Sequence, residues 1–172
     1  MFDKCEEWQG VRKTGNYPDC DMLPIGRISK LCSYHGKQNR MSNFTKPEHY
    51  TLMSLWGIFG SPLFIGGNMP ENDGFTLWLL TNSDYMQMHR EATNSQCVER
   101  KEKNNKGYII WSAQGKNCKY LAVFNTDTKP KKINADLTQI LMPNVRRTLI
   151  IRWLPEQTLT RVPDVIKLSF FY

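Results

Sequence analysis

The stretch from Thr45 to Asn82, TKPEHYTLMSLWGIFGSPLFIGGNMPENDGFTLWLLTN, constrains the fold more than any other part of the chain. It opens with a capping box: Thr45 accepts from a backbone N–H near Glu48, and Glu48 reaches back. Pro47 falls in the first turn, where its missing N–H costs nothing. Leu52, Leu55, Trp56 and Phe59 then recur at i, i+3, i+4 and i+7, the stripe of a 3.6-residue period. Met53, Ile58 and Leu63 place apolar groups off that stripe, so the helix is expected to be covered on more than one side. Ser61-Pro62 ends it, because the residue before proline is pushed out of helical backbone. Gly66-Gly67-Asn68 and Pro70 make an irregular turn. A second helix is predicted over 75–88, with Phe75, Leu79, Tyr85 and Met86 buried. A doubly covered helix, a glycine-rich elbow and a second helix suggest the closing helix of a larger layered domain.

After about Thr93 the period changes to two. Six strands are predicted, over 97–103, 108–112, 119–125, 131–137, 148–154 and 165–171, with polar turn residues such as Asn104, Gly107, Gly115 and Pro130 between them. Short strands at such spacing read as an antiparallel sandwich. Upstream, Phe2, Cys5 and Trp8 share one face of a short helical segment. Residues 17–23 read as a short strand, and residues 27–44 as a long polar loop.

With 40% apolar and 12% aromatic residues, the 172-residue chain is expected to fold. The formal charge of +7 raises a nucleic-acid reading. Its distribution argues against it: the basic residues fall in KEKNNK (101–106), KPKK (129–132) and Arg146-Arg147, at expected hairpin tips. No helix-turn-helix, finger spacing or aromatic platform accompanies them. No apolar run approaches a membrane span, and residues 1–10 lack the basic and apolar regions of a signal peptide. Five cysteines at irregular spacing form no C-x-x-C, so neither a zinc knuckle nor a redox pair is indicated. Reduced cysteines in cores and loops are the expected state, and one disulfide is compatible with an exported protein.

The acidic pair Asp19 and Asp21 is the candidate chemical feature. In a strand, residues two apart share a face, so both carboxylates point the same way; at the C-terminal end of a barrel strand they would line a pocket. By itself a D-x-D is more often accounted for by turn or capping roles. Arg40 reads as a loop ion-pair residue, and His35 and His49 as solvent-facing.

The run TLMSLW-IF-SPLFIGGNMP-ND-FTLWLLTN, preceded by YPDCDMLPIGRIS and followed by GYIIWSA and KYLAVFNTD, resembles glycoside hydrolase family 27, the retaining α-galactosidases and α-N-acetylgalactosaminidases. The match covers nearly the whole chain, but only the C-terminal part of a family member. It implies a mixed fold: the end of a (β/α)8 barrel (last strand and helix) in residues 1–92, then a C-terminal antiparallel β-sandwich in residues 93–172. It implies that Asp21 and Met22 contact the galactose and that Asp19 supports them. His89 and Arg90 stand where relatives usually carry Asn-Gln, a departure at the junction of the two parts.

Retaining glycosidases need two carboxyls about 5 Å apart, a nucleophile and an acid/base. In the family both come from barrel strand ends upstream of the region matched here, so no catalytic residue is expected within these residues. No cofactor or metal is implied. The partners implied are an α-galactoside sugar if the barrel is completed and a complementing N-terminal chain, with neither nucleic acid nor membrane. Full-length relatives are often secreted or periplasmic. Two other readings compete: a free-standing carbohydrate-binding sandwich with Trp111 or Trp153 as stacking platforms, and a basic nucleic-acid binder.

Overall fold

A computed structural model describes residues 1–28, 40–104, 106–129, 133, 148–149 and 170–171. A short helix α1 (Phe2–Glu7) leads through coil to a two-residue ribbon, β1 (Arg27–Ile28) with β2 (Arg40–Met41). Helix α2 (Lys46–Phe59) follows, then α3 (Gly74–Thr81) and α4 (Ser83–Glu91). Strands β3 (Thr93–Lys103), β4 (Lys106–Gln114) and β5 (Lys119–Asn125) form an antiparallel meander. Two short strands, β6 (Thr148–Leu149) and β7 (Phe170–Phe171), pair with β5.

Helix α2 starts as its sequence dictates. Thr45 Oγ1 accepts from the Glu48 N–H, and the Thr45 N–H donates to Glu48 Oε2 at 2.7 Å. Its end comes one step earlier than the Ser61-Pro62 signal, at Gly60, whose φ of +81° is the left-handed cap that glycine adopts without penalty. The expected double coverage is observed: Met53, Leu55, Trp56, Ile58 and Phe59 are all buried.

The helix predicted over 75–88 is two helices. Asn82 takes extended backbone (φ −62°, ψ 117°), and its side-chain oxygen accepts from the Tyr85 N–H, so it caps α4 where a continuous helix would have run. Of the residues expected to be buried there, Leu79 and Tyr85 are fully so, while Phe75 and Met86 are half-buried. His49, expected to face solvent, is buried: its Nδ1 lies 2.8 Å from the Thr45 carbonyl oxygen, and its ring sits edge-on to Phe44 and Phe75. A polar helical segment hid this, because the covering rings lie on either side of the helix in sequence. His35 lies outside the described residues.

The meander is two-faced. Ile109, Trp111, Ala113, Tyr120, Ala122 and Phe124 join one apolar cluster with α2 and α4, so that cluster draws on residues from both sides of Ala92. Phe59 meets Trp111 at 5.8 Å and Phe2 meets Phe124 at 4.9 Å, both edge-on. On the other face, Tyr108, Ile110 and Val123 pack with Val98 and Ile133. Burial on both faces of one sheet is consistent with a β-sandwich region. The strand expected over 131–137 lies, apart from Ile133, outside the described residues. The antiparallel expectation holds for β3 to β5, but β6 and β7 run parallel to β5.

Candidate functional site

The segment from Pro18 to Leu23 runs between α1 and α2, and it is not the strand its sequence suggested. Asp21 sits at φ +74°, in left-handed backbone that Asp and Asn tolerate better than most residues. Only Leu23 is paired, in a single parallel bridge to Ile65: its N–H donates to the Phe64 carbonyl at 2.6 Å, and its carbonyl accepts from the Gly66 N–H. The two-residue alternation that would put Asp19 and Asp21 on one face therefore does not apply.

A local turn replaces it. Asp19 Oδ1 accepts from the Asp21 N–H at 2.9 Å, and Asp21 Oδ1 accepts from the Met22 N–H at 2.6 Å. Helix α2 pins the turn from behind, since the Trp56 indole N–H donates to the Asp21 carbonyl oxygen at 3.1 Å. Ser61, just past the end of α2, accepts the Cys20 N–H on its hydroxyl at 2.9 Å. With the backbone thus held, the Asp19, Asp21 and Met22 side chains are exposed while Cys20 and Leu23 are buried.

Two concavities flank this segment. One, of about 550 Å³, has Asp19, Cys20 and Asp21 on its wall together with Cys5, Trp8 and Tyr17. The other, of about 900 Å³, runs between Met22 and α2; Leu52, Leu55 and Trp56 give it an apolar floor. The charged side chains of the larger one, among the described residues, are the carboxylates of Asp21, Glu48 and Asp127. Glu48 is held below the usual carboxylate range by the Thr45 backbone N–H and hydroxyl. Met22 Sδ lies so near Gly66 that a Cβ there would come within 2.8 Å of it, so the glycine-rich elbow leaves room for the methionine. Acceptor carboxylates over an apolar floor suit a polyhydroxylated ring, whose hydroxyls donate and whose C–H face stacks. An acidic wall does not suit a phosphate backbone.

Arg40 donates to the Met41 carbonyl and to Asn43 Oδ1, which closes its own loop. His89, at the departure from the family pattern, places Nε2 2.8 Å from the Ser61 carbonyl, and Arg12 donates to the His89 carbonyl at 3.1 Å. Trp111 is fully buried against Phe59, so it presents no stacking platform; Trp153 lies outside the described residues. Sequence reasoning missed Trp56 and Ser61 as supports of the Asp21 turn, for both act across more than thirty residues without any motif.

No protein-family model matches the chain. It is similar to known proteins, however, over most of its length. Alpha-galactosidase D of Emericella nidulans is 31% identical over 127 residues, which is 73% of this chain and 17% of that protein. Among solved structures, a family 27 β-L-arabinopyranosidase of Geobacillus stearothermophilus, in complex with arabinose, aligns with a TM-score of 0.65 at 38% identity, over 73% of this chain and 28% of that one. A Bacillus halodurans protein provisionally assigned as an α-N-acetylgalactosaminidase gives a TM-score of 0.64 at 39% identity, over 73% of this chain and 29% of that one. Over the matched residues the fold is thus shared with part of these glycosidase structures. The relatives specify it further: the chain resembles glycoside hydrolase family 27, consistent with a C-terminal portion, and spans under a fifth of the length of that curated α-galactosidase.

Proposed function

We propose that this chain is the sugar-positioning C-terminal part of a retaining glycosidase acting on terminal α-linked galactose, in which Asp21 accepts hydrogen bonds from the sugar hydroxyls and Met22 packs on its ring. Asp19 supports them by holding the Asp21 N–H. The observation that carries this reading is the Asp21 turn itself: a carboxylate and a thioether stand exposed at the edge of an apolar-floored groove of about 900 Å³, on backbone pinned from two sides by Trp56 and Asp19. Rigid backbone under an exposed acceptor is what substrate positioning requires.

Positioning does not by itself cleave an acetal. The nucleophile and the acid/base are proposed to come from barrel strands outside these 172 residues, the closing helix and the Asp21 turn before it being the share contributed here. The domain division proposed is residues 1–92 for that barrel share and 93–172 for the sandwich. The partners that follow are the sugar and a chain segment completing the barrel.

The test is turnover of aryl α-galactoside, aryl α-N-acetylgalactosaminide and aryl β-L-arabinopyranoside, the last two because the structural relatives bear those names. The 172-residue chain alone is expected to be silent on all three. Supplying the missing barrel in cis or as a second chain is expected to bring activity, which Asp21→Asn then lowers mainly through KM. Asparagine keeps the left-handed backbone while removing the charge. Clear turnover by the chain alone, lost in Asp19→Asn or Asp21→Asn, would assign the acid–base chemistry to this aspartate pair instead.

A further inference from the structure

Two thiols face each other beneath the Asp21 turn. Cys5, on α1, and Cys20, between the two aspartates, have their sulfurs 3.8 Å apart, both buried, fifteen positions apart in sequence. Neither packs as an isolated small apolar group. Both lie on the wall of the concavity of about 550 Å³ that the exposed Trp8 and Tyr17 also line, and Cys20 is the thiol with some exposure to it. We propose that Cys5 and Cys20 are a dithiol modification site that takes up a disulfide donor of the glutathione type and closes to an intramolecular disulfide, covalently fastening α1 to the Asp19–Asp21 turn.

The geometry needs a modest change. A disulfide holds its sulfurs about 2.05 Å apart, so closure must bring together two sulfurs that already touch at 3.8 Å. The order of events follows from the surroundings. Cys20 is 9% exposed and Cys5 only 1%. The two sulfurs share one S–H···S contact in which either can donate, so exposure sets the order. Cys20 therefore attacks first. Its thiolate takes one sulfur of the oxidised donor, and the S–S bond of that donor breaks, releasing one thiolate. The Cys5 thiol then loses its proton, and its sulfur attacks the Cys20 sulfur. The second donor thiolate leaves, so two protein thiols and one disulfide donor become one protein disulfide and two free thiols. Cys97 is a poor competitor: burial pushes its thiol up to about 12, and its sulfur faces the Glu99 carbonyl.

The reduced 172-residue chain is incubated with oxidised and reduced glutathione over a range of ratios, quenched with a maleimide under denaturing conditions, and mapped by peptide mass. The expected result is a linked pair of peptides carrying Cys5 and Cys20, about two mass units lighter than the dithiol, as the first disulfide to form. Thermal unfolding should shift upward by about 5–10 °C on oxidation, as for a loop of this length, and the shift should be absent in Cys20→Ser. If both cysteines remain alkylated in excess oxidised glutathione, carry glutathione as stable mixed adducts, or pair with other cysteines first, the proposal is overturned. The wild-type map decides even if a serine variant fails to fold, and it reads nothing about sugar, so it stands apart from the turnover test.

Discussion

The indole N–H of Trp56 donates to the main-chain carbonyl of Asp21 across 3.1 Å, joining the middle of the best-specified helix to the turn that carries the candidate sugar contacts. Trp56 is itself buried, while the Asp21 carbonyl it serves sits in an exposed turn, so the bond is part-buried. Trp56→Phe keeps most of the apolar volume and removes the donor. It is expected to cost about 1–2 kcal/mol, the lost bond plus a small cavity, measured by chemical unfolding. Amide exchange at Met22 and Leu23 should accelerate in the variant beyond what the global loss explains.

Gly57 stands where α2 meets α4. A Cβ there would lie 2.5 Å from the Tyr85 ring and 2.8 Å from the Met88 methyl. Alanine in a helix interior gains about 1 kcal/mol over glycine, but Tyr85 is fully buried and cannot swing away. Overpacking of this kind costs about 1–3 kcal/mol, so Gly57→Ala is expected to destabilise on balance. A rise in the unfolding midpoint would show that α4 can shift.

The capping box offers a cleaner test, because its residues are exposed. Thr45→Ala removes the acceptor for the Glu48 N–H and is expected to cost about 1 kcal/mol. Glu48 is held below its ordinary range by the Thr45 N–H and hydroxyl. Its contribution is therefore present above the unfolded carboxylate value and lost as pH falls through the lower folded one. Acid titration of the unfolding midpoint should show a smaller loss below about pH 4.5 in Thr45→Ala than in the parent.

His89 predicts a second pH dependence, of the same sign but at higher pH. Burial holds its imidazole below the usual value, and the neighbouring Arg12 guanidinium acts in the same direction, against the Ser61 carbonyl that accepts its hydrogen bond. A depressed folded value means that stability is complete above the unfolded value of about 6.5 and declines as pH falls toward the folded one. The midpoint should drop between about pH 7 and 5, and His89→Gln should flatten that drop. An unchanged profile in the variant would place the dependence elsewhere.

How far the sequence reached can be followed along α2. Its cap, its proline, its apolar period and its double coverage are all local signals, each spanning at most one or two turns, and each is found in the structure. The strands over 97–103, 108–112 and 119–125 were legible for the same reason: alternation and turn chemistry are written within a few residues. What misled was also local. Asp19-Cys20-Asp21 reads as alternating strand, yet with only Leu23 paired to Ile65 the segment lacks neighbours to hold it extended, and Asp19 captures the Asp21 N–H instead. At Asn82 the side chain caps the Tyr85 N–H where helix propagation would have continued.

By itself, then, the sequence determined the elements whose signals repeat within a turn or a strand pair, together with the family it resembles. The tertiary structure alone decided which of those elements meet. Trp56 reaches Asp21, Ser61 reaches Cys20 and His89, and Cys5 reaches Cys20, through contacts between residues far apart in the chain. Such contacts leave no period and no motif behind, because a single hydrogen bond or a single pair of sulfurs needs only proximity, and proximity is set by how the helices pack on the sheet.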